Sequence, residues 1–320
     1  MRAYQVKDFE GTAGLNEIAR PEPGAGEVLV RIGACGLNFA DLLMLQGKYQ
    51  DTPSLPFTLG MEVAGTVEAR GKGVTAPPIG SRVAVFGGQG GLAEFGCFPA
   101  DRAVAIPAGM SFAEAAAFQI AYGTSHVALD YRARLQPGET LLVTGAAGGV
   151  GLTAVEIGKL MGATVIACAR GRERLDVAAR AGADHLIDAE TDNIREACRD
   201  LGGLDVVYDP VGGDQFRAAF RACKPEARLL PIGFASGNVP QIPANHLLVK
   251  NLTVMGLYWG GYQNFRSEVI TDSMRTLLGW YSEGRLKPHI SHILPLDRAG
   301  EALELMRARK STGKVVITPN

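Results

Sequence analysis

Residues 140–169, TLLVTGAAGGVGLTAVEIGKLMGATVIACA, constrain the fold more than any other stretch of the chain. Thr140 to Thr144 is an apolar run of strand length. Gly145, Gly148 and Gly151 follow at three-residue spacing, and Val150, Ala154, Ile157 and Met161 then recur along one helical face. Gly162 closes the helix, and Thr164 to Ala169 is a second strand. Strand, glycine turn, helix and strand in that order make a seat for a pyrophosphate. The turn amides and the positive end of the helix face the anion, and the missing Cβ atoms let the backbone approach it. The spacing is GxxGxxG rather than GxGxxG, so the reading rests on the flanking strand and helix. A glycine-rich turn that binds nothing is the alternative, and the coincidence of three signals weighs against it.

The end of the second strand selects between dinucleotides. NAD readers place an Asp or Glu there to hold the ribose hydroxyls. Here Ala169 and Arg170 stand in that place, with Arg172 and Arg174 close behind and no carboxylate before Glu173. A guanidinium grips a 2′-phosphate with two hydrogen bonds, whereas a carboxylate repels it. The expected cofactor is NADPH. A solvated helix start explains any one of these arginines as well, but all three together less well.

A chain of 320 residues is long enough for about two domains. Its formal net charge of −1 supplies no field for nucleic acid or an anionic membrane, and no apolar run is long enough to span a bilayer. MRAYQVKDF at the start reads as a strand and not as a signal peptide. Five scattered cysteines make neither a disulfide framework nor a CxxC site. The expected compartment is a reducing cytoplasm.

Residues 1 to about 120 read as strands and glycine turns, including Val28–Ile32, Val63–Val67 and Arg82–Phe86. They carry a short helix at Phe39–Gln46 after Asn38, and a helix capped by Ser111 with Glu114 three residues on. From Thr140 to Leu257 strands and helices alternate. The strands are Leu141–Thr144, Val165–Ala169, His185–Ile187, Val206–Tyr208, Leu229–Ile232 and Thr253–Leu257, which predicts an α/β, doubly wound parallel sheet with its ligand crevice at the strands' carboxyl ends. Helices at Arg266–Glu283 and Asp297–Arg309 and a last strand, Lys314–Ile317, end the chain. That strand is expected to rejoin the N-terminal domain. The expected domains are 1–121 with 261–320, and 122–260.

The stretches ACGLNFADLLMLQGKY (34–49), LGMEVAGTV (59–67), GGLAEF (90–95), AAGGVG (146–151), VVYDPVGG (206–213) and GKVVI (313–317) fall in an order that covers nearly the whole chain. In them the sequence resembles the medium-chain dehydrogenase/reductase superfamily, within it the zinc-free NADPH:quinone oxidoreductase branch of zeta-crystallin. The resemblance implies a Rossmann domain and a discontinuous, mostly β GroES-like catalytic domain. Zinc alcohol dehydrogenases of the superfamily place a Cys ligand where Asn38 stands and a His-Glu pair where Met61-Glu62 stands, and their structural four-Cys lobe has no counterpart between Cys35 and Cys97. No metal is expected, since a catalytic Zn²⁺ takes three protein ligands.

The resemblance also implies site residues. Asn38 matches the family's active-site Asn and donates to a substrate carbonyl, unless it only caps the following helix. Asp41 matches a family Asp with a loop-ordering role. Tyr49 matches the proton-donating Tyr of 2-enoyl-thioester reductases, with an apolar-wall role as the alternative. Ala147, Gly148, Gly149 and Val150 form the pyrophosphate turn, Thr124 faces the nicotinamide side, and Arg170 and Arg174 serve the 2′-phosphate. Gly233, Phe234 and Ser236 contact the nicotinamide end, and Lys314 lies near the cofactor. Asp188 stands where the family often has a Tyr contact to the adenosine phosphate. Tyr258, beside the last strand of the sheet, lines the substrate pocket or a dimer contact.

The implied activity is hydride transfer from NADPH to a quinone or related activated carbonyl, in a homodimer. A 2-enoyl-thioester or enone reductase using Tyr49 is the second reading. A non-catalytic, crystallin-like NADPH-binding protein is the third.

Overall fold

The computed structural model describes residues 1–319 and divides into two units, Met1–Ile120 with the C-terminal segment from Pro288, and Ala121–Lys287. The first opens with β1 (Arg2–Val6), β2 (Gly14–Glu17), β3 (Glu27–Gly36), α1 (Phe39–Met44), β4 (Phe57–Thr58), β5 (Glu62–Arg70), β6 (Arg82–Phe86), β7 (Phe95–Pro99), β8 (Ala103–Ala105) and α2 (Phe112–Ala116). Ser111 caps α2, and the Glu114 carboxylate takes the Ser111 amide in return, at 2.9 Å. Helix α3 (Gln119–His126) crosses into the second unit and continues as a wider π turn through Arg132.

The second unit alternates β9 (Thr140–Thr144), α4 (Gly149–Leu160), β10 (Thr164–Ala169), α5 (Arg172–Arg180), β11 (His185–Asp188), α6 (Ile194–Asp200), β12 (Leu204–Asp209), α7 (Gly213–Ala222), β13 (Cys223–Pro231), α8 (Ala244–Lys250) and β14 (Thr253–Val254). The strand order β11-β10-β9-β12-β13-β14 is all parallel and reverses direction of travel between β9 and β12. The reversal makes the crevice of a doubly wound sheet. Every residue of β9 is buried, as expected of a parallel strand covered on both faces. Leu142, Ile166, Val207, Phe216, Phe220 and Leu229 form the core of one face. β14 is two residues long instead of the expected five, because it is an edge strand. It pairs only with Arg228 and Leu229, and the Met255 amide makes the last bond, to Leu229.

After α9 (Tyr262–Phe265) and α10 (Ser267–Ser282), the chain returns to the first unit through β15 (Ile290–Pro295), α11 (Ala299–Arg307) and β16 (Lys314–Thr318). The sequence reading drew the boundary before α10, yet that helix stays with the second unit. Its buried face, Ile270, Ser273, Met274 and Leu277, has helical spacing. Ser273 Oγ lies 2.9 Å from His126 Nδ1, and the His126 ring meets Trp280 edge-on at 5.2 Å. The first unit holds a small sheet, β2-β1-β4, and a larger one ordered β15-β16-β3-β5-β6-β8, with β7 also on β3. β16 pairs with β3 through Val316–Gly36 and Ile317–Cys35, so the last strand rejoins the N-terminal sheet.

A buried ion pair fastens that seam. Lys314 Nζ, at the start of β16, lies 2.7 Å from Glu62 Oε1, at the start of β5, and both side chains are almost wholly buried. Glu62 Oε2 accepts the Ile120 amide at 2.9 Å. A Cβ added to the neighbouring Gly36 would stand 2.1 Å from the Ala116 carbonyl oxygen, so the backbones meet there without a side chain between them.

Lys314→Met is expected to destabilise the fold by about 3–5 kcal/mol by stranding the Glu62 carboxylate. Glu62→Gln in the same chain should recover much of that loss, read by urea unfolding at one pH. A second test uses Asp41, fully buried in α1, whose carboxyl is pushed up to about 7 chiefly by burial. A raised acid binds its proton more tightly in the folded chain. Its stabilisation is therefore full below the ordinary carboxyl range and is lost as pH rises toward 7. Asp41→Asn should flatten that part of the stability–pH curve, measured by denaturant midpoints across the range.

Candidate functional site

The second unit carries the candidate anion seat at the carboxyl ends of β9 and β10. Gly145 leaves β9 at φ +56°, a conformation that favours glycine. Gly148 is the N-cap of α4 and has no side chain to occupy the helix's open amides. A Cβ at Gly151 would lie 2.2 Å from the Gly145 carbonyl oxygen, so turn and helix touch through backbone. Ala147, Gly148, Gly149 and Val150 thus form the turn and first residues of α4, as the sequence placed them. A dinucleotide pyrophosphate fits this cradle of amides.

Asp209, at the end of β12, fixes the opposing wall. Its buried carboxylate accepts the Thr144 hydroxyl, the Val211 amide at 3.2 Å and the Gly212 amide at 2.9 Å. Burial raises its pKa. These bonds hold Val211 against the glycine turn, where a Cβ at Gly145 would meet it at 3.0 Å. The wall extends to residues 233–238: Ala235 and Ser236 donate backbone N–H to Pro210 and Val211, at 3.1 and 2.9 Å. Gly233, Phe234 and Ser236 are therefore beside the seat, with Phe234 exposed. In the sequence Asp209 lies inside VVYDPVGG. Its position directly after an apolar strand and before a glycine pair was the available signal.

Arg170 follows β10, and Arg174 lies in the first turn of α5 after Gly171 at φ +74°. Asp188 is engaged below them: its Oδ1 accepts the amides of Gly171 and Glu190 at 3.1 and 3.0 Å. Those amides, Glu190 first, lower its pKa. The acid shapes the loop that carries the arginines.

Thr124 is buried on α3 next to Ser125, whose hydroxyl reaches the Val150 carbonyl at 2.9 Å, Thr153 Oγ1 at 2.8 Å and Tyr208 Oη at 3.0 Å. This network ties α3 to the glycine helix and to β12. Trp259 is packed on α3, since a Cβ at Gly123 would meet its ring at 2.8 Å. Tyr258 is half-buried, closely packed against Gly261.

The first unit assembles Asn38, Asp41, Glu62 and Lys314. Asn38 Oδ1 accepts from Lys314 Nζ at 2.7 Å, and Nδ2 donates to Glu62 Oε1 at 3.0 Å and to the Gly36 carbonyl at 3.3 Å. Turning the amide over would set its oxygen against two acceptors, so this orientation is determined by its neighbours. The N–H groups expected to face a substrate carbonyl are engaged within the protein, and Asn38 is 9% exposed. Asp41 Oδ2 accepts the Asn38 amide at 2.7 Å, which orders the start of α1. Lys314, expected near the cofactor, directs its ammonium to Asn38 and Glu62. Tyr49 is half-buried in the turn after α1, and its carbonyl is bonded by the Thr52 hydroxyl at 2.6 Å. The pairing of Glu62 with a lysine 252 residues away has no local signal in the sequence.

Zinc does not fit these residues. An amide and the buried Met61 thioether occupy the positions of a thiolate and an imidazole, and the one carboxylate already holds an ammonium at 2.7 Å. Among the described residues no group of three or more His, Cys, Asp or Glu side chains is placed to hold a metal ion.

Comparison with known proteins agrees with this layout. Residues 24–108 match the family model described as alcohol dehydrogenase GroES-like domain, and residues 149–274 match the one described as zinc-binding dehydrogenase. The chain is 41% identical to quinone oxidoreductase-like protein 2 of Bos taurus over 321 residues, covering 99% of this chain and 92% of the relative. Among solved structures it resembles the quinone oxidoreductase of Thermus thermophilus, studied with its NADPH complex, at 33% identity and a TM-score of 0.88 over 99% of this chain and 100% of that one. Escherichia coli quinone oxidoreductase complexed with NADPH gives a TM-score of 0.93 at 28% identity over 100% of both chains. A β-rich unit, a Rossmann unit with a glycine turn after its first strand, and this degree of identity have one reading: the chain belongs to the quinone oxidoreductase branch of the medium-chain dehydrogenase/reductase superfamily.

Proposed function

We propose that this protein is a zinc-independent, NADPH-dependent oxidoreductase that reduces a quinone or related activated carbonyl compound. The observation that carries the reading is the glycine seat of α4 with Arg170 and Arg174 beside it and Asp188 tied into the loop below. Bound NADPH supplies the hydride. Ala147 to Val150 bind its pyrophosphate, the two arginines take the 2′-phosphate, and Gly233, Phe234, Ser236 and Thr124 serve the nicotinamide end. Asp209 keeps the wall of that site in place. In the first unit Lys314 and Glu62 act as positioning residues for Asn38, and Asp41 orders α1. Quinone reduction suits such a site because the acceptor is flat and readily reduced, and needs no Lewis acid to polarise it.

The half-buried Tyr49 favours a second reading, reduction of an enone or 2-enoyl thioester, in which its phenol delivers a proton to carbon. Tyr258 is assigned to the substrate pocket. The proposal includes a homodimer acting in the cytoplasm on a small molecule, without nucleic acid or membrane as partner. No helix among the described residues is long and apolar enough to cross a membrane.

NADPH oxidation by the purified protein with 1,4-benzoquinone and with crotonyl-CoA, and NADH as control, tests the function. Fast quinone turnover specific to NADPH supports it, and efficient thioester turnover transfers the assignment to the second reading. Arg174→Ala should raise the NADPH dissociation constant at least about tenfold and leave NADH within about twofold. Equal losses for both would remove the 2′-phosphate assignment. Tyr49→Phe should lower alkene reduction by about 10²-fold or more while quinone reduction is nearly unchanged. Equal effects on both substrates would assign Tyr49 to packing.

A further inference from the structure

At the amino ends of β12 and β13, the edge of the sheet opposite the glycine seat, a groove of about 900 Å³ opens between α6, α7 and α8. Arg195 and Arg199 of α6, Arg221 of α7, Lys224 of β13 and Lys250 of α8 line it, together with His246, and no carboxylate does. This concentration of cations occurs in a chain whose formal net charge is −1.

Helix ends explain part of the pattern. Arg199, Arg221 and Lys250 sit in the last turns of α6, α7 and α8, where a cation offsets the helix dipole. Lys250 also donates to the Cys223 carbonyl at 2.7 Å, and Lys224 pairs with Asp205 at 2.8 Å. Arg195 lies in the first turn of α6, where the dipole disfavours a cation, and four residues before Arg199, where like charges repel. The guanidinium groups of Arg195, Arg199 and Arg221 have neither a carboxylate nor a carbonyl partner among the described residues. Three unengaged planar forks around one groove suit phosphate oxygens, which they bind in pairs. Beside them the exposed His246 ring stacks on the buried Phe220 ring, with centroids 6.1 Å apart and planes at 18°. The outer face of that stack is a platform for an aromatic base.

We propose that this groove is a second nucleotide site that takes a nucleoside polyphosphate, its phosphates on Arg195, Arg199 and Arg221 and its base on His246. It is separate from the NADPH seat, which lies at the carboxyl ends of β9 and β10 in the same sheet, and it stands independently of the acceptor assigned above.

Isothermal titration of the full chain, kept saturated with NADPH, with ATP, pyrophosphate and adenosine tests the site. The expected result is saturable ATP binding, weakened by salt and lowered at least about tenfold by Arg195→Glu with Arg199→Glu. Pyrophosphate should bind and adenosine should not. His246→Ala should weaken ATP while leaving pyrophosphate unchanged. Unaltered NADPH affinity and circular dichroism in both variants show that they fold. ATP binding that NADPH abolishes, binding unmoved by the charge reversal, or no saturable binding at millimolar concentration each overturns the proposal.

Discussion

An ammonium buried between a carboxylate and an amide holds the first unit to its own C-terminal strand. Lys314, Glu62 and Asn38 come from β16, β5 and the start of α1, and their contacts are 2.7–3.0 Å long. Burying any one of them alone would be costly, and together they satisfy one another. The consequences reach the site. The amide of Asn38 is oriented, and α1 starts at a fixed point.

The second unit solves a different problem, the approach of a large anion to the main chain. Gly145, Gly148 and Gly151 place no side chain there, and the first amides of α4 have no side-chain cap. Asp209 accepts a hydroxyl and two amides at one wall, and Asp188 accepts two amides below the arginines. Each carboxylate is used to shape backbone, and the guanidinium groups remain at the end of β10. The opposite end of the same sheet gathers cations, three of them arginines without a carboxylate partner among the described residues, and there a polyanionic ligand would meet side chains instead of backbone.

Legibility in the sequence followed the range of each interaction. The strands and helices of the second unit were readable because a buried parallel strand is a short apolar run and a covering helix has one apolar face. The end of β14 was not, because an edge strand stops where its single neighbour ceases to offer partners. The assignment of α10 was not, because its apolar face shows that it is covered but not by what, and His126 of a distant helix decides the matter. The same holds for Asn38. A residue before a short helix is a cap, a substrate donor or a buried strut, and sequence spacing is equal for all three.

The sequence by itself determined the doubly wound sheet, the glycine turn, the arginines in place of an acid, and the return of the last strand to the first unit. Those features are written in local periodicity, in glycine spacing and in the residue type at one strand end. Only the tertiary structure decided that Lys314 faces Asn38 and Glu62, that Asp209 and Asp188 build loops, and that three arginines and a histidine share one groove. These depend on side chains brought together from distant segments, and an electrostatic interaction acts through a few ångströms of space without regard to separation along the chain.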